Sequence, residues 1–193
     1  VPASAEQWAA NRLPGPPVAA SPAVAEGAPE ALERVYEQHF SFVWRSLRAL
    51  GVDPALLDDA AQEVFLVAHR RSADFERRSS MKTWLFGIAN RVAANFRRRA
   101  RRRPSDPLPD ELLSDQPNPE QQAERAETVR RVEKFLNGVD ADQRAIFTAC
   151  VLEGMSVPEA AEALGVNANT LYSRLRLVRS KFSTTFSKRG SER

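Results

Sequence analysis

The stretch SVPEAAEALGVNANTLYSRLRLVRSKF, residues 156–182, leaves little freedom about its local fold. Ser156 and Glu159 have the spacing of a capping box, in which the hydroxyl accepts from the third helical amide and the carboxylate reaches back. Pro158 falls in the first turn, where its missing donor is not needed. Gly165 supplies a residue that enters the left-handed region without strain, ending this helix sharply. Asn167 is placed to cap a second helix. On that helix Leu171, Leu175, Val178 and Phe182 form one apolar stripe, while Ala160, Ala161 and Ala163 on the first helix permit close approach and Leu164 anchors it. The result is a pair of short helices joined by a glycine turn.

The outer face of the second helix carries Asn169, Tyr172, Ser173, Arg176 and Ser180, flanked by Arg174, Arg179 and Lys181. These side chains suit base edges and phosphates when a helix lies in a groove. A basic helix face is often only a solvated face. Cap, glycine turn and basic surface together favour a nucleic-acid reader.

The rest of the chain is patterned as helix. Leu32, Val35, Tyr36, Phe40, Val43, Leu47 and Leu50 recur at mostly three- and four-residue steps and stop at Gly51. Asp53 can cap the next helix, with Pro54 at its permissive first position. That helix runs to about Arg71, and another spans about Met81 to Arg102, closed by Pro104. Helical patterning returns near Glu120, and Asp140 can cap a helix from Ala141 to Leu152 that Gly154 ends. No strand-like alternation and no repeat interrupts this. The expected fold is all-α, with two small helical domains joined by an acidic flexible linker.

Charge marks the boundaries. Net charge is only +3, but residues 97–103 read RRRARRR, whereas residues 104–120 hold Asp106, Asp110, Glu111, Asp115 and Glu120 with no base. Such asymmetry points to a polyanionic partner for one part. Residues 1–28 are rich in proline and alanine and read as a disordered tail, with Trp8 a solvated aromatic by default and a docking residue as the alternative. The domains are then residues 29–103 and 123–189, with residues 104–122 as the proline-rich linker.

In the first domain, ALLDDAAQEVFLVAHRR turns Leu57, Ala61, Val64 and Ala68 inward and leaves Leu66 ringed by Asp59, Gln62, Glu63 and Arg70. A leucine so placed is either an ordinary exposed residue or the anchor of a protein contact. In the long helix Leu85, Ile88, Ala89, Val92 and Phe96 face inward. Opposite lie Gly87, Asn90, Arg91, Ala94, Arg97, Arg98 and Arg101, small and basic residues that would let a phosphate backbone approach. The preceding loop offers Phe75, Arg77, Arg78, Ser79, Ser80, Met81 and Lys82, an aromatic among bases able to hold an unstacked nucleotide. Trp84 reads as packing.

DDAAQEVFLVAHRR, FERRSSMKTWLFGIANRVAANFRRR and the final helix-turn-helix, in this order and spacing, resemble bacterial RNA polymerase sigma factors of the sigma-70 family, extracytoplasmic-function group. The resemblance implies that the first domain (sigma region 2) binds the polymerase clamp helices and the −10 element. The second (sigma region 4) then reads the −35 element and meets the flap region. Carried across, Asp58, Asp59, Gln62, Glu63, Phe65 and Leu66 match the clamp-binding helix. Phe75 and Arg77 to Lys82 match the loop that captures a flipped −10 base, and Asn90, Arg91, Asn95 and Arg98 its basic helix. Thr170, Tyr172, Ser173, Arg174 and Arg176, with Asn169 and Arg179 beside them, match the −35 reader. Ala60, His69 and Tyr172 depart from the family's usual residues. An anti-sigma partner is also implied.

Other classes fit less well. A lone Cys150, inside an apolar run, allows neither a disulfide nor a cysteine metal site, and His39 and His69 have no ligand spacing. No phosphate cradle or nucleophile–base pair is present, so neither cofactor nor catalysis is expected. No signal peptide and no run long enough to span a bilayer is read, so a cytoplasmic location without membrane insertion is expected. The rival is a stand-alone helix-turn-helix repressor or activator, which would leave the upstream basic helix and Leu66 without purpose.

Overall fold

The computed structural model describes residues 29–72, 75, 79–102 and 119–187. The tail with Trp8, Arg77, Arg78, linker residues 104–118 and residues 188–193 lie outside the described residues. The elements are α1 (Pro29–Ala49), a 3-10 turn (Pro54–Leu56), α2 (Leu57–Arg70) and α3 (Met81–Arg102), then α4 (Pro119–Asn137), α5 (Ala141–Phe147) with a π-helical extension (Thr148–Leu152), α6 (Val157–Leu164) and α7 (Ala168–Ser187). No strand occurs among the described residues. Helix α4 begins at Pro119, within the 104–122 stretch read as linker, since proline is permissive in a first turn.

Local chemistry sets the helix ends. At Gly51 (φ 84°) the Val52 amide donates to the Leu47 carbonyl at 3.1 Å and the Gly51 amide to Arg48 at 2.9 Å, a Schellman closure. Gly165 (φ 67°) repeats it between α6 and α7: Val166 donates to Ala161 at 3.0 Å and Gly165 to Glu162 at 3.1 Å. The capping box is complete, with the Ser156 amide donating to Glu159 at 2.9 Å. Asp53, Asp140 and Asn167 accept from Ala55, Gln143 and Asn169 at 2.9, 2.8 and 2.9 Å.

The expected helix over 141–152 differs in its last turn. The Glu153 amide donates to Thr148 and that of Met155 to Ala149, both at 2.9 Å, so the coil widens before Gly154 (φ 68°) ends it. Such a widening re-aims the chain on its way into α6.

Helices α1, α2 and α3 pack on one another, and α5 and α6 each pack on α7. Val43, Leu47, Leu57, Val64, Leu85 and Phe86 are almost or fully sequestered, each such side chain stabilising the fold by about 1.5–3 kcal/mol. A second cluster joins Val132, Phe135, Leu136, Phe147 and Val178, with the Phe135, Phe147 and Phe182 rings 4.9–5.0 Å apart. Tyr36, placed in the α1 stripe by periodicity, is instead 44% exposed and lies against Phe40 and Phe65, because the stripe turns away from the bundle near the start of α1.

The two domains are not held apart. Helix α3 packs on α6, and one apolar cluster runs from Phe42 and Leu85 through to Ala160, Ala161 and Leu171. Gly87 marks the closest approach, since a Cβ built there would stand 2.8 Å from the Ala163 carbonyl oxygen.

Candidate polymerase and nucleic-acid interfaces

Helix α2 presents its outer face as the periodicity required. Asp58, Asp59, Gln62 and Leu66 are exposed and Glu63 is half-buried. Leu66, at 50% exposure, is a large apolar side chain ringed by polar ones. The two aspartates sit in the first turn, where they also complement the helix dipole. Asp58 accepts from the Trp44 indole at 3.2 Å, and Glu63 pairs with Arg99 of α3 at 3.8 Å. Phe65 is different: it is buried, its ring 4.8 Å from Tyr36, and it supports this face from beneath. A helix of these dimensions turns the residue before Leu66 inward.

The loop ahead of α3 is mixed. Arg77 and Arg78 lie outside the described residues. Phe75 is half-buried with its ring 5.1 Å from Trp84, which confirms Trp84 as packing. Ser80 is the N-cap of α3: its hydroxyl accepts from the Thr83 amide at 3.1 Å and meets the Thr83 hydroxyl at 2.9 Å. Ser79 is half-buried, and Met81 packs against the core. Lys82 is exposed, its ammonium 5.7 Å from the Phe42 ring centre.

Along α3, Arg91 and Arg98 are exposed while Asn90 and Asn95 are half-buried. Arg98 donates to the Asn95 side chain at 2.5 Å, fixing a basic group and an amide together. Arg97, read from the sequence as facing DNA, instead donates to the Leu50 carbonyl of α1. Burial and the neighbouring Arg144 and Arg101 hold its pKa below the usual guanidinium range.

Helix α7 meets the expectation most closely. Leu171, Leu175 and Val178 are buried, and Asn169, Thr170, Tyr172, Ser173, Arg174, Arg176 and Arg179 are all exposed, Tyr172 at 67%. Ser173 donates to the Asn169 carbonyl at 3.1 Å, and Arg174 pairs with Asp142 of α5 at 3.3 Å. Lys181 donates to Gln143 at 2.9 Å. Leu177, 61% exposed, was missed; it borders a shallow cleft with Asp140, Asp142, Gln143 and Arg174. Its place off the 171–175–178–182 stripe was the available signal.

Among the described residues, no three His, Cys, Asp or Glu side chains are grouped to hold a metal, and no helix is long and apolar enough to cross a membrane. Burial raises the Cys150 thiol to about 11, against the opposing pull of Arg179, so it is protonated at neutral pH.

The arrangement matches known proteins along most of its length. Residues 35–103 match the Sigma-70 region 2 family and residues 130–182 the Sigma-70, region 4 family. RNA polymerase sigma factor NccH of Alcaligenes xylosoxydans xylosoxydans is 30% identical over 164 residues, covering 82% of this chain and 88% of that protein. ECF RNA polymerase sigma factor SigC of Mycobacterium tuberculosis (strain CDC 1551 / Oshkosh) is 32% identical over 154 residues, 78% of this chain and 80% of that protein. Among solved structures, CnrH in complex with the cytosolic domain of CnrY shares the fold with a TM-score of 0.65 at 24% identity, over 86% of this chain and 93% of that one. Sigma factor RpoE in complex with the anti-sigma factor NepR from Bartonella quintana gives 0.63 at 22% identity, over 82% and 98%. Two helical domains, a leucine-bearing acidic helix, a basic helix and a terminal helix-turn-helix thus have one common explanation: this chain belongs to the sigma-70 family of RNA polymerase sigma factors, in the extracytoplasmic-function group.

Proposed function

We propose that this sigma factor joins core RNA polymerase through the Leu66 face of α2 and directs it to a two-element promoter, α3 and its preceding loop taking the −10 element and α7 the −35 element. The observation that carries this is the exposed row from Asn169 to Arg179 on a helix whose opposite stripe is buried. Its arginines are suited to guanines and phosphates and its amide and hydroxyls to mixed partners. Arg91, and Arg98 tied to Asn95, supply the phosphate-binding half of the −10 surface. Phe75 and Lys82 border the place for an unstacked base. The flap region of polymerase is the partner expected for the α4–α7 domain.

The chain contributes binding energy and no catalysis of its own; melting draws on contacts made within the holoenzyme. It works in the cytoplasm, where polymerase is. The CnrH and RpoE structures hold CnrY and NepR respectively, and this supports a comparable anti-sigma partner here.

The test is saturable binding of the purified chain to bacterial core polymerase, followed by transcription from a library of randomised promoters. Initiation at one shared two-element motif is expected. Tight sequence-specific binding by the free chain, with no gain from core polymerase, would hand the function to a stand-alone helix-turn-helix regulator.

A further inference from the structure

The buried stripe of α7, Leu171, Leu175 and Val178, fixes which of its side chains stand farthest from the domain. At about 100° per residue, the line opposite that stripe is held by Asn169, Ser173, Arg176, Leu177 and Ser180, all of them exposed. Other cations lie to either side of this row, Arg179 on one flank and Arg174 and Lys181 on the other. A helix laid in a groove turns such a central row to the base edges and its flanks toward the walls. The row is polar except for Leu177, which is 61% exposed.

A single exposed leucine is ordinary on a protein surface, but specific contacts keep this one bare. Arg174 and Lys181 stand one turn to either side of it, and stems of that length can lie across an apolar neighbour. Instead Arg174 is drawn to Asp142 at 3.3 Å and Lys181 to Gln143 at 2.9 Å, both in the first turn of α5. The two tethers turn the cations toward α5 and leave the leucine methyls in the row that meets base edges. Asp140 and Asp142 line the shallow cleft beside Leu177, so this spot suits an uncharged group better than a phosphate.

In the major groove the base edges present donors, acceptors and one apolar group, the 5-methyl of thymine. A guanine or cytosine edge set against leucine would lose its water with no hydrogen bond in exchange. We propose that Leu177 is a specificity-determining residue that reads a thymine of the −35 element through its 5-methyl group. The inference rests on the reading of α7 as the −35 helix and adds a base contact to it.

The experiment uses the full-length chain bound to core polymerase. Promoters selected from a randomised library supply the −35 element. Each of its thymines, on either strand, is replaced in turn by deoxyuridine, which keeps every hydrogen-bonding group and lacks the methyl. The parent holoenzyme should lose about fourfold in promoter affinity at one thymine, the contribution of one buried methyl group. This scan tests the contact without altering the protein. Leu177→Ala holoenzyme should bind the unmodified promoter more weakly and lose nothing further on that replacement. Selection repeated with Leu177→Ala should relax that one position and keep the others.

A −35 element in which no thymine responds to the replacement overturns the proposal, as does a response that survives in Leu177→Ala. A loss of core affinity in Leu177→Ala, equal on templates with and without the −35 element, makes Leu177 a protein contact and also overturns it. Arg176→Ala separates this inference from the reading beneath it. If Arg176→Ala alters −35 preference and Leu177→Ala does not, α7 reads the element without Leu177; if neither alters it, the reading of α7 itself is wrong.

Discussion

Glu153, at the end of the π-helical segment, accepts from Arg45 of α1 at 3.5 Å with only 9% of its side chain exposed. Burial raises its pKa above the ordinary carboxylate value of 4.5, and the Arg45 and Lys82 charges only partly oppose this. The folded state therefore holds the proton more tightly than the unfolded chain. Its contribution is most favourable below pH 4.5 and is lost as pH rises from there through the raised folded value. Glu153→Gln, a neutral isostere, should match or exceed the parent chain in thermal stability at pH 7 and flatten the decline above pH 4.5. Melting curves across that range check this. A less stable Gln variant at pH 7 would mean that the pair with the largely exposed Arg45 outweighs the burial.

Leu66→Asp should weaken core polymerase binding while leaving the melting temperature close to that of the parent chain. Leu66 is 50% exposed, so the fold loses little, whereas a charge at the proposed anchor must be desolvated in the complex. Titration of core polymerase with labelled chain measures it, and unchanged affinity removes Leu66 from the interface.

Tyr172→Ala and Arg176→Ala should impair initiation at promoters with an intact −35 element and spare core binding. Both side chains are exposed, and losing one base contact typically costs about 1–3 kcal/mol. Transcription from matched promoters with and without the −35 element is the measurement. An equal loss on both templates would point to general damage and not to lost reading.

Ser156→Ala should destabilise the helix-turn-helix domain by about 1 kcal/mol. The hydroxyl accepts from the Glu159 amide at 3.4 Å and donates to the Glu159 carboxylate at 2.6 Å, and that donation, with the one from the Ser156 amide at 2.9 Å, holds the carboxyl below its usual pKa. Chemical denaturation reads the change; Ser156→Thr, which keeps both the acceptor and the donor at the cap, should recover most of it.

The helix ends were legible because each is fixed by a residue acting on its immediate neighbours. Gly51 and Gly165 take positive φ, Ser156 and Asn167 cap, and none of them needs a distant partner to do so. The α7 stripe was legible for the same reason: one buried side and one exposed side follow from helical periodicity alone. Tyr36 was placed in the buried stripe because periodicity says which side a residue is on, but not where a bundle stops covering that side. The π-helical widening after Phe147 left no trace that composition or spacing could show.

By itself the sequence determined an all-α chain, its helix caps, the family it belongs to and the rows of side chains offered on α2 and α7. Only the tertiary structure decided that Gly87 meets the Ala163 carbonyl and that Arg97 and Arg144 converge on the oxygen of Leu50. Caps and stripes arise from interactions within about one or two helical turns, which a linear pattern records. Which outward face of one domain becomes the floor for another depends on the packing of segments far apart in the chain, and no local period encodes that.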